Sequence, residues 1–311
     1  MPIGRRPPSF QPEIRPIGPR SPLIWLINRP LWWRPRHLIP AALLLPGGSM
    51  LLYARFVEPA LFRVRRLRLE LPGASPAFRS SLVHLSDLHL RRDDWWARRL
   101  LSTLDRARVQ DRPVGVITGD FAKHPYRIDE VLDLLRRMPR PRGGWFAVPG
   151  GWEYTCGLSG DDFEPFCRDA GLIPLVNRSV RVDLDGQPVN LVGLDDPERG
   201  DPDLPAALAD ADPTLPTIAL CHHPDMLDEV ARHPVDLFLT GHSHGGQVRL
   251  PGIGPLWLAR GCRKYYDGVH AQGSTTMAIS RGVGTTVAPV RLFTPPEFSL
   301  IRLHGRPVSN S

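Results

Sequence analysis

Asp87 and His89 stand one residue apart, Gly119 precedes Asp120, His222 and His223 are adjacent, and His242 and His244 flank Ser243. Any one of these clusters reads as a turn or a cap. Four of the same chemical type point to metal. Carboxylate and imidazole donors suit Mn²⁺, Fe or Zn²⁺, whereas Mg²⁺ prefers an all-oxygen shell. In an extended chain the single intervening residue of Asp-x-His and His-x-His puts both side chains on one side, where they can converge on ions. Two ions about 3.5–4 Å apart can share a carboxylate, hold a water whose pKa falls toward about 7, and clamp a phosphoryl oxygen for in-line attack.

Those residues need elements that deliver them to one place. Alternation at Leu67, Leu69 and Leu71 predicts a first strand, and apolar runs at Leu82–Leu85, Val114–Thr118, Trp145–Val148, Val189–Leu194, Thr217–Cys221 and Leu237–Thr240 predict others. Between them Asp94–Val109, Arg127–Met138, Asp161–Ala170 and Asp225–Arg232 read as helices. Strand and helix alternate, which predicts an α/β domain with largely parallel sheets and a ligand site beyond the carboxyl ends of the strands. All four clusters follow a predicted strand. From Gly246 the chain has strand-like runs broken by Gly and Pro, which predicts a second sheet.

LSDLH (85–89), TGD (118–120), CHHPD (221–225) and TGHSHGGQVRLP (240–251) resemble the motifs of the calcineurin-like metallophosphoesterases. The likeness is closer to the membrane-associated bacterial branch of the YkuE and YaeI type, whose ending SRGVGTTVAPVRLFTPPEFSLIRL (280–303) resembles. It spans about Leu61 to Leu303. The resemblance implies an α/β fold in which a double β-sheet sandwich is flanked by helices, here preceded by an N-terminal hydrophobic segment. It implies two divalent metal ions, Mn, Fe or Zn. Asp87, His89, Asp120 and His244 would hold the first, and Asp120 would bridge to a second held by His222 and His242. Asp120 is then also the candidate catalytic residue, and His223 a neighbour. The activity implied is hydrolysis of a phosphoester or pyrophosphate by metal-activated hydroxide. The substrate is a phosphorylated small molecule or a lipid-linked or nucleotide-linked phosphate, by analogy of the UDP-2,3-diacylglucosamine type used in lipid A synthesis.

One motif departs from the family. Where the family has Gly-Asn-His-Asp/Glu, this chain reads Gly150-Gly151-Trp152-Glu153. The Asn oxygen for the second ion and the His that assists the leaving group are both missing. Glycine offers no side-chain ligand and tryptophan only an N–H donor. A weakly held second ion is one consequence. A non-catalytic, metal- or phosphate-binding descendant of the family is the alternative reading. Glu153 is expected to support its neighbours more readily than to reach the ion. Trp152 is a candidate wall for a base, sugar or acyl chain, or for the core. Gly246, within Gly245-Gly246-Gln247, is a candidate backbone donor to phosphate or a turn. Arg281 and Arg291 are candidate phosphate contacts or surface pairs, Lys123 and His124 a solvated loop or side chains that reach substrate, and Cys221 a small core residue in preference to a nucleophile.

With 311 residues and 42% hydrophobic content, the chain can bury one large core. Its net charge of +7 favours anionic partners. Lys123 and Lys264 are the only lysines, and no arginine and aromatic interleaving argues for specific nucleic acid. The four cysteines form no CxxC pair. The expected organisation is a Pro- and Arg-rich tail at 1–37, a membrane anchor at 38–57, with a hydrophobic cap on the domain or an interfacial segment as the alternatives, the phosphoesterase domain at 61–305 and a tail at 306–311. Leu38 to Ala54 carries no charge, although Pro40, Pro46, Gly47 and Gly48 weaken a regular helix. An anchor there places the protein at the bacterial cytoplasmic membrane.

Overall fold

The computed structural model describes residues 41–91 and 94–306. The tails expected at 1–37 and after Arg306, and residues 38–40 of the expected anchor, lie outside the described residues. Helix α1, Ala41–Leu52, continues through a π-helical turn at Tyr53–Val57 and a 3₁₀ turn at Glu58–Ala60. Its 12 residues rise about 18 Å, against a hydrocarbon core of about 30 Å. Among the described residues no helix is long and apolar enough to cross a membrane.

Next come β1 (Arg63–Leu71), β2 (Arg79–Leu85), α2 (Trp95–Arg106), β3 (Val114–Thr118), α3 (Ile128–Arg136), β4 (Trp145–Val148), α4 (Gly151–Thr155) and α5 (Phe163–Asp169). They are followed by β5 (Ile173–Pro174), β6 (Arg178–Asp183), β7 (Pro188–Gly193), α6 (Leu204–Leu208), β8 (Thr217–Leu220), α7 (Leu227–Val230) and β9 (Leu237–Thr240). The chain closes with β10 (Arg249–Leu250), β11 (Gly254–Pro255), β12 (Gly268–Gln272), β13 (Thr275–Ile279) and β14 (Glu297–Gly305). Strands β3, β4, β8 and β9 are buried at every residue, as strands covered on both faces must be.

Two six-stranded sheets result, ordered β1-β14-β2-β3-β4-β5 and β12-β13-β9-β8-β7-β6. Each is mixed. Strands β2 to β5 run parallel, as do β7, β8, β9 and β13, whereas β14 is antiparallel to β2 and parallel to β1. The second sheet that the sequence predicts for the last third is thus not built from that third alone. Only β10 and β11 pair by themselves, as a two-stranded ribbon, whereas β12 and β13 join the second six-stranded sheet and β14 lies between β1 and β2 in the first.

Alternation along the strands sorts side chains into three cores. Leu82, Val116, Phe146 and Val148 of the first sheet face Leu191, Ile218, Leu220 and Leu239 of the second. On the outer side of the first sheet, Val83, Leu85, Ile117 and Trp145 meet Leu100 and Leu104 of α2, Leu134 and Leu135 of α3, and Phe163 and Phe166 of α5. On the outer side of the second, Val192, Ala219 and Phe238 meet Leu204 of α6 and Leu227 and Val230 of α7. Helices thus flank a double sheet. Asp94 caps α2 by accepting from the backbone of Trp96 and Ala97, and its position fixes where the helix leaves the site. Leu220→Ala, which empties space between the sheets, is expected to lower unfolding stability by about 2–5 kcal/mol in a urea titration. The same change at exposed Leu256 should stay within about 0.5 kcal/mol; equal effects would place the core elsewhere.

Candidate metal centre

Asp87 and His89 follow β2, Asp120 follows β3, and Gly150 to Trp152 follow β4. His222 follows β8, and His242 and His244 follow β9. The first three strands belong to one sheet and the last two to the other, so the cluster sits on the seam where the carboxyl ends of both sheets meet. The seam is tight: a Cβ on Gly241 would lie 1.7 Å from the Ser86 hydroxyl oxygen.

The side chains do not converge through an extended backbone, as the one-residue spacing predicts. Asp87, His89, Asp120, His242 and His244 all take the left-handed conformation, with φ between 42° and 66°. The chain curls at each strand end and turns successive side chains inward. Each such non-glycine residue costs on the order of 1–3 kcal/mol, which the surrounding packing must offset.

The donor atoms form two linked groups. Asp87 Oδ1 is 3.2 Å from His244 Nε2, and His244 Nε2 is 3.1 Å from His89 Nε2. His222 Nε2 is 3.1 Å from His242 Nδ1. Asp120 Oδ2 joins the groups, at 3.4 Å from His89 Nε2 and 3.3 Å from His222 Nε2. These separations suit donors sharing a cation. Asp87 Oδ1 is buried with no hydrogen-bond partner, as expected of an oxygen reserved for an ion. Two carboxylates and four imidazoles are also a donor set that fits Mn, Fe or Zn.

Local electrostatics favour deprotonated donors on one side of the cluster. Burial drives His89 down to about 3 and, with His223 and His222 beside it, drives His242 well below the imidazole range. Burial pushes the Asp87 carboxyl up, but His244, His222 and His89 together outweigh it and hold the group well below the carboxylate range. Asp120 is likewise lowered, by His222 and His89 against burial. His222 is raised, since Asp120, Asp87 and Asp196 outweigh burial.

Glu153 supports this cluster from behind. Fully buried, it accepts hydrogen bonds from the backbone N–H groups of Asp120 (2.7 Å), Phe121 (2.8 Å) and Gly150 (2.8 Å). Burial and the charge of Asp120 push its carboxyl up to about 8, against the pull of those three donors. Trp152 donates its backbone N–H to Asp120 Oδ1 (3.0 Å), sets its ring edge-on to His89 and lies under Lys123 Nζ. It is a wall of the centre. Lys123 is buried instead of lying in a solvated loop, donates to the Thr285 carbonyl, and is lowered to about 7 by desolvation and by Arg91.

The other candidates are placed differently. The Gly246 N–H is already given to the Ser243 carbonyl, and a Cβ there would lie 2.3 Å from that of Pro255. Close packing accounts for this glycine. Arg281 makes a two-pronged ion pair with Asp267 at 2.9 Å and 2.9 Å. Arg291 is neither a phosphate contact nor a surface pair: it is fully buried and donates to the carbonyls of Arg281, Gly282, Gly284 and Thr294 beside His244 Nδ1. Cys221 lies in the core, its thiol raised by burial. Asp196, which the motifs did not single out, lies fully buried next to His223. The acidic pair Asp195-Asp196 after the strand ending at Leu194 is the signal that could have found it.

Residues 80–246 match the family described as calcineurin-like phosphoesterase. The chain is 30% identical over 271 residues to the uncharacterized metallophosphoesterase YkuE of Bacillus subtilis, covering 85% of this chain and 93% of that one. It is 26% identical over 279 residues to the phosphodiesterase YaeI of Escherichia coli, covering 87% and 98%. It is 26% identical over 313 aligned positions to the UDP-2,3-diacylglucosamine pyrophosphatase LpxG of Chlamydia trachomatis, covering 80% and 92%.

Replacing Glu153 by Ala strands three buried N–H groups at about 1–3 kcal/mol each. Glu153→Ala is therefore expected to cost at least about 3 kcal/mol in urea unfolding and to weaken metal binding, with Glu153→Gln milder. A loss under about 1 kcal/mol would show that the carboxylate does not hold the turn.

Proposed function

Because this chain belongs to the calcineurin-like phosphoesterase family, and is thereby a metallophosphoesterase, we propose that it hydrolyses a phosphodiester or pyrophosphate whose far end is an apolar chain. Asp87, His89 and His244 would hold one divalent ion and His222 and His242 a second, with the Asp120 carboxylate serving both. Bound there, the ions supply Lewis-acid polarisation of the phosphoryl oxygens and draw the pKa of a water toward about 7.

The observation that carries the substrate class is a cleft of about 460 Å³ that begins at His89 and runs out to the turn after α1. Its walls include Arg55, Phe56, Arg91, Trp95, His124 and Tyr126. Arg91 is half-buried, and its pKa is lowered by desolvation and by Arg55. The cleft holds three guanidiniums, those of Arg55, Arg91 and Arg127, against the single carboxylate of Asp94, a surplus that suits an anionic group such as a second phosphate. Phe56, Trp95 and Tyr126 of this lining are exposed, as are Leu51, Leu52 and Val57, which are close to Phe56 in the chain. That sequence of surfaces fits a reacting phosphate, a second anion and then an acyl chain.

Trp152 bears on the same choice. With no imidazole at this position, a substrate whose leaving group has a low pKa, such as a phosphate of a pyrophosphate, loses least from the missing acid. Similarity to the pyrophosphatase LpxG supports a UDP-2,3-diacylglucosamine-type nucleotide lipid as the first compound to assay, and the apolar side of residues 51–57 supports work at a membrane surface.

Protein reconstituted with Mn²⁺ is expected to hydrolyse both bis(p-nitrophenyl) phosphate and such a nucleotide lipid. Asp120→Ala should cut turnover by more than about 100-fold, beyond the loss from an outer-sphere change. Arg91→Ala should raise KM for the nucleotide lipid by about 10–100-fold, the equivalent of one charge-assisted hydrogen bond, and should affect the small diester much less. Absence of turnover on monoesters, diesters and nucleotide lipids would remove this reading. Equal effects of Arg91→Ala on both substrates would remove the cleft from it.

A further inference from the structure

Trp152 stands where the family carries the imidazole that assists the leaving group, and the side chain lying over its ring is a cation. Lys123 Nζ is 5.6 Å from the centre of the indole and donates to the Thr285 carbonyl at 3.0 Å. Backbone pairing puts it there. The His89 N–H donates to the Asp120 carbonyl (2.9 Å), that of Leu90 to Phe121 (2.7 Å), and that of Lys123 back to Leu90 (3.1 Å), so the two ligand-bearing turns run on as a short ladder that ends at Lys123. The loop that carries Thr285 is pressed onto the same turn: a Cβ on Gly284 would come 2.8 Å from that of His89. His89, Gly284 and Thr285 all line the cleft. Lys123 is 7% exposed, which holds its charge at the metal end of that cleft instead of in solvent. An ammonium has three donors and Thr285 takes one. The indole face attracts the charge without neutralising it. Desolvation and Arg91 work against that charge, and an anion within reach restores it.

We propose that Lys123 is the cation that meets the departing phosphate of the substrate, in place of the imidazole missing at Trp152, and that the Trp152 ring and the Thr285 carbonyl are what position it. The proposal rests on the hydrolase reading and adds the nature of the leaving group to it: one that departs as an anion. In the step, a water oxygen bonds to the attacked phosphorus and the bond from that phosphorus to the bridging oxygen breaks. Its electron pair leaves with the second phosphate, and the protons of the water pass to solvent. A compact ammonium can stabilise that new charge without giving up a proton. Arg91, in the cleft wall, serves binding, whereas Lys123 serves departure.

The experiment compares the natural protein with Lys123→Met, which keeps the apolar stem and removes the charge, both loaded with Mn²⁺. On the nucleotide lipid kcat is expected to fall about 100-fold, with KM changed far less. On a series of methyl aryl phosphodiesters the loss should grow as the leaving phenol becomes less acidic, whereas a lysine that only props the fold would slow every ester by the same factor. A second readout needs no turnover. Lys123 and Lys264 are the only lysines, so protein made with ¹³C-labelled lysine and loaded with Zn²⁺ gives two side-chain NMR signals, of which Lys264→Arg leaves that of Lys123. Inorganic phosphate is expected to shift the Lys123 signal and to leave that of Lys264, paired with Asp228, in place. Absence of turnover in the natural protein would remove the hydrolase reading, and the NMR shift would still decide whether Lys123 meets the anion. A loss uniform across the phenol series would overturn the proposal. So would a Lys123 signal that phosphate leaves unmoved, or folded Lys123→Met that binds fewer metal ions than the natural protein.

Discussion

Asp120 Oδ2 sits between His89, delivered by the first sheet, and His222, delivered by the second, at 3.4 Å and 3.3 Å. That placement constrains much of the rest. Two sheets must end at the same seam, and their last residues must curl inward, because six donors in a few ångströms cannot be reached by straight strands. Five left-handed residues are the conformational cost. Glu153 holds the turn that carries Asp120, and Arg291 gathers the carbonyls of residues 281, 282, 284 and 294 beside His244. The two groups do opposite electrostatic work. One is a buried carboxylate that collects N–H donors, and the other a buried cation that collects carbonyls.

Much of this was legible in the amino-acid order. Six core strands read as apolar runs because strands covered on both faces need uninterrupted hydrophobic residues, and Val114–Thr118, Trp145–Val148 and Leu237–Thr240 are reproduced to the residue. Helix ends were less legible. Asp225–Arg232 shrinks to Leu227–Val230, since short-range pattern extends a helix into turns that tertiary packing ends. The polar β6 and the five-residue α4 and α6 were not anticipated, because neither has enough repeat to show a period.

What escaped the sequence is what depends on distant partners. No local pattern says that Glu297–Gly305 will slide between β1 and β2. Arg291 looks like any other arginine until the carbonyls of residues 281, 282, 284 and 294 are gathered around it, and Gly246 looks like a phosphate loop until Pro255 is packed against it. Asp196 follows a strand just as Asp87 and Asp120 do, yet only the position of His223 reveals its relevance. The altered Gly151-Trp152 pair illustrates the same limit. Sequence shows which side chains are missing, and only three-dimensional proximity shows which others face the gap.

The turn after α1 is fastened to the rest of the molecule through its backbone and one carboxylate. The Ala54 carbonyl accepts from the Arg291 N–H, the Pro59 carbonyl from the Trp96 indole, and Glu58 from the backbone of Phe293 and Thr294. The same loop, 284–294, forms part of the cleft wall and touches the metal cluster through Arg291. Shape at the mouth of the cleft and geometry at its floor are therefore set by one loop.

Strand β14 also ties the donor cluster to a distant stretch of chain. Residues 297–305 pair with residues 63–71 along nine positions and with β2 on the other side. Without them β1 has no partner in the sheet and β2, from whose end Asp87 and His89 project, has one edge bare. The register of two donors therefore depends on residues such as Ser299, which pairs with His84 from 215 positions away, so a cut anywhere in the long intervening chain that let β14 leave would loosen the donors without touching them.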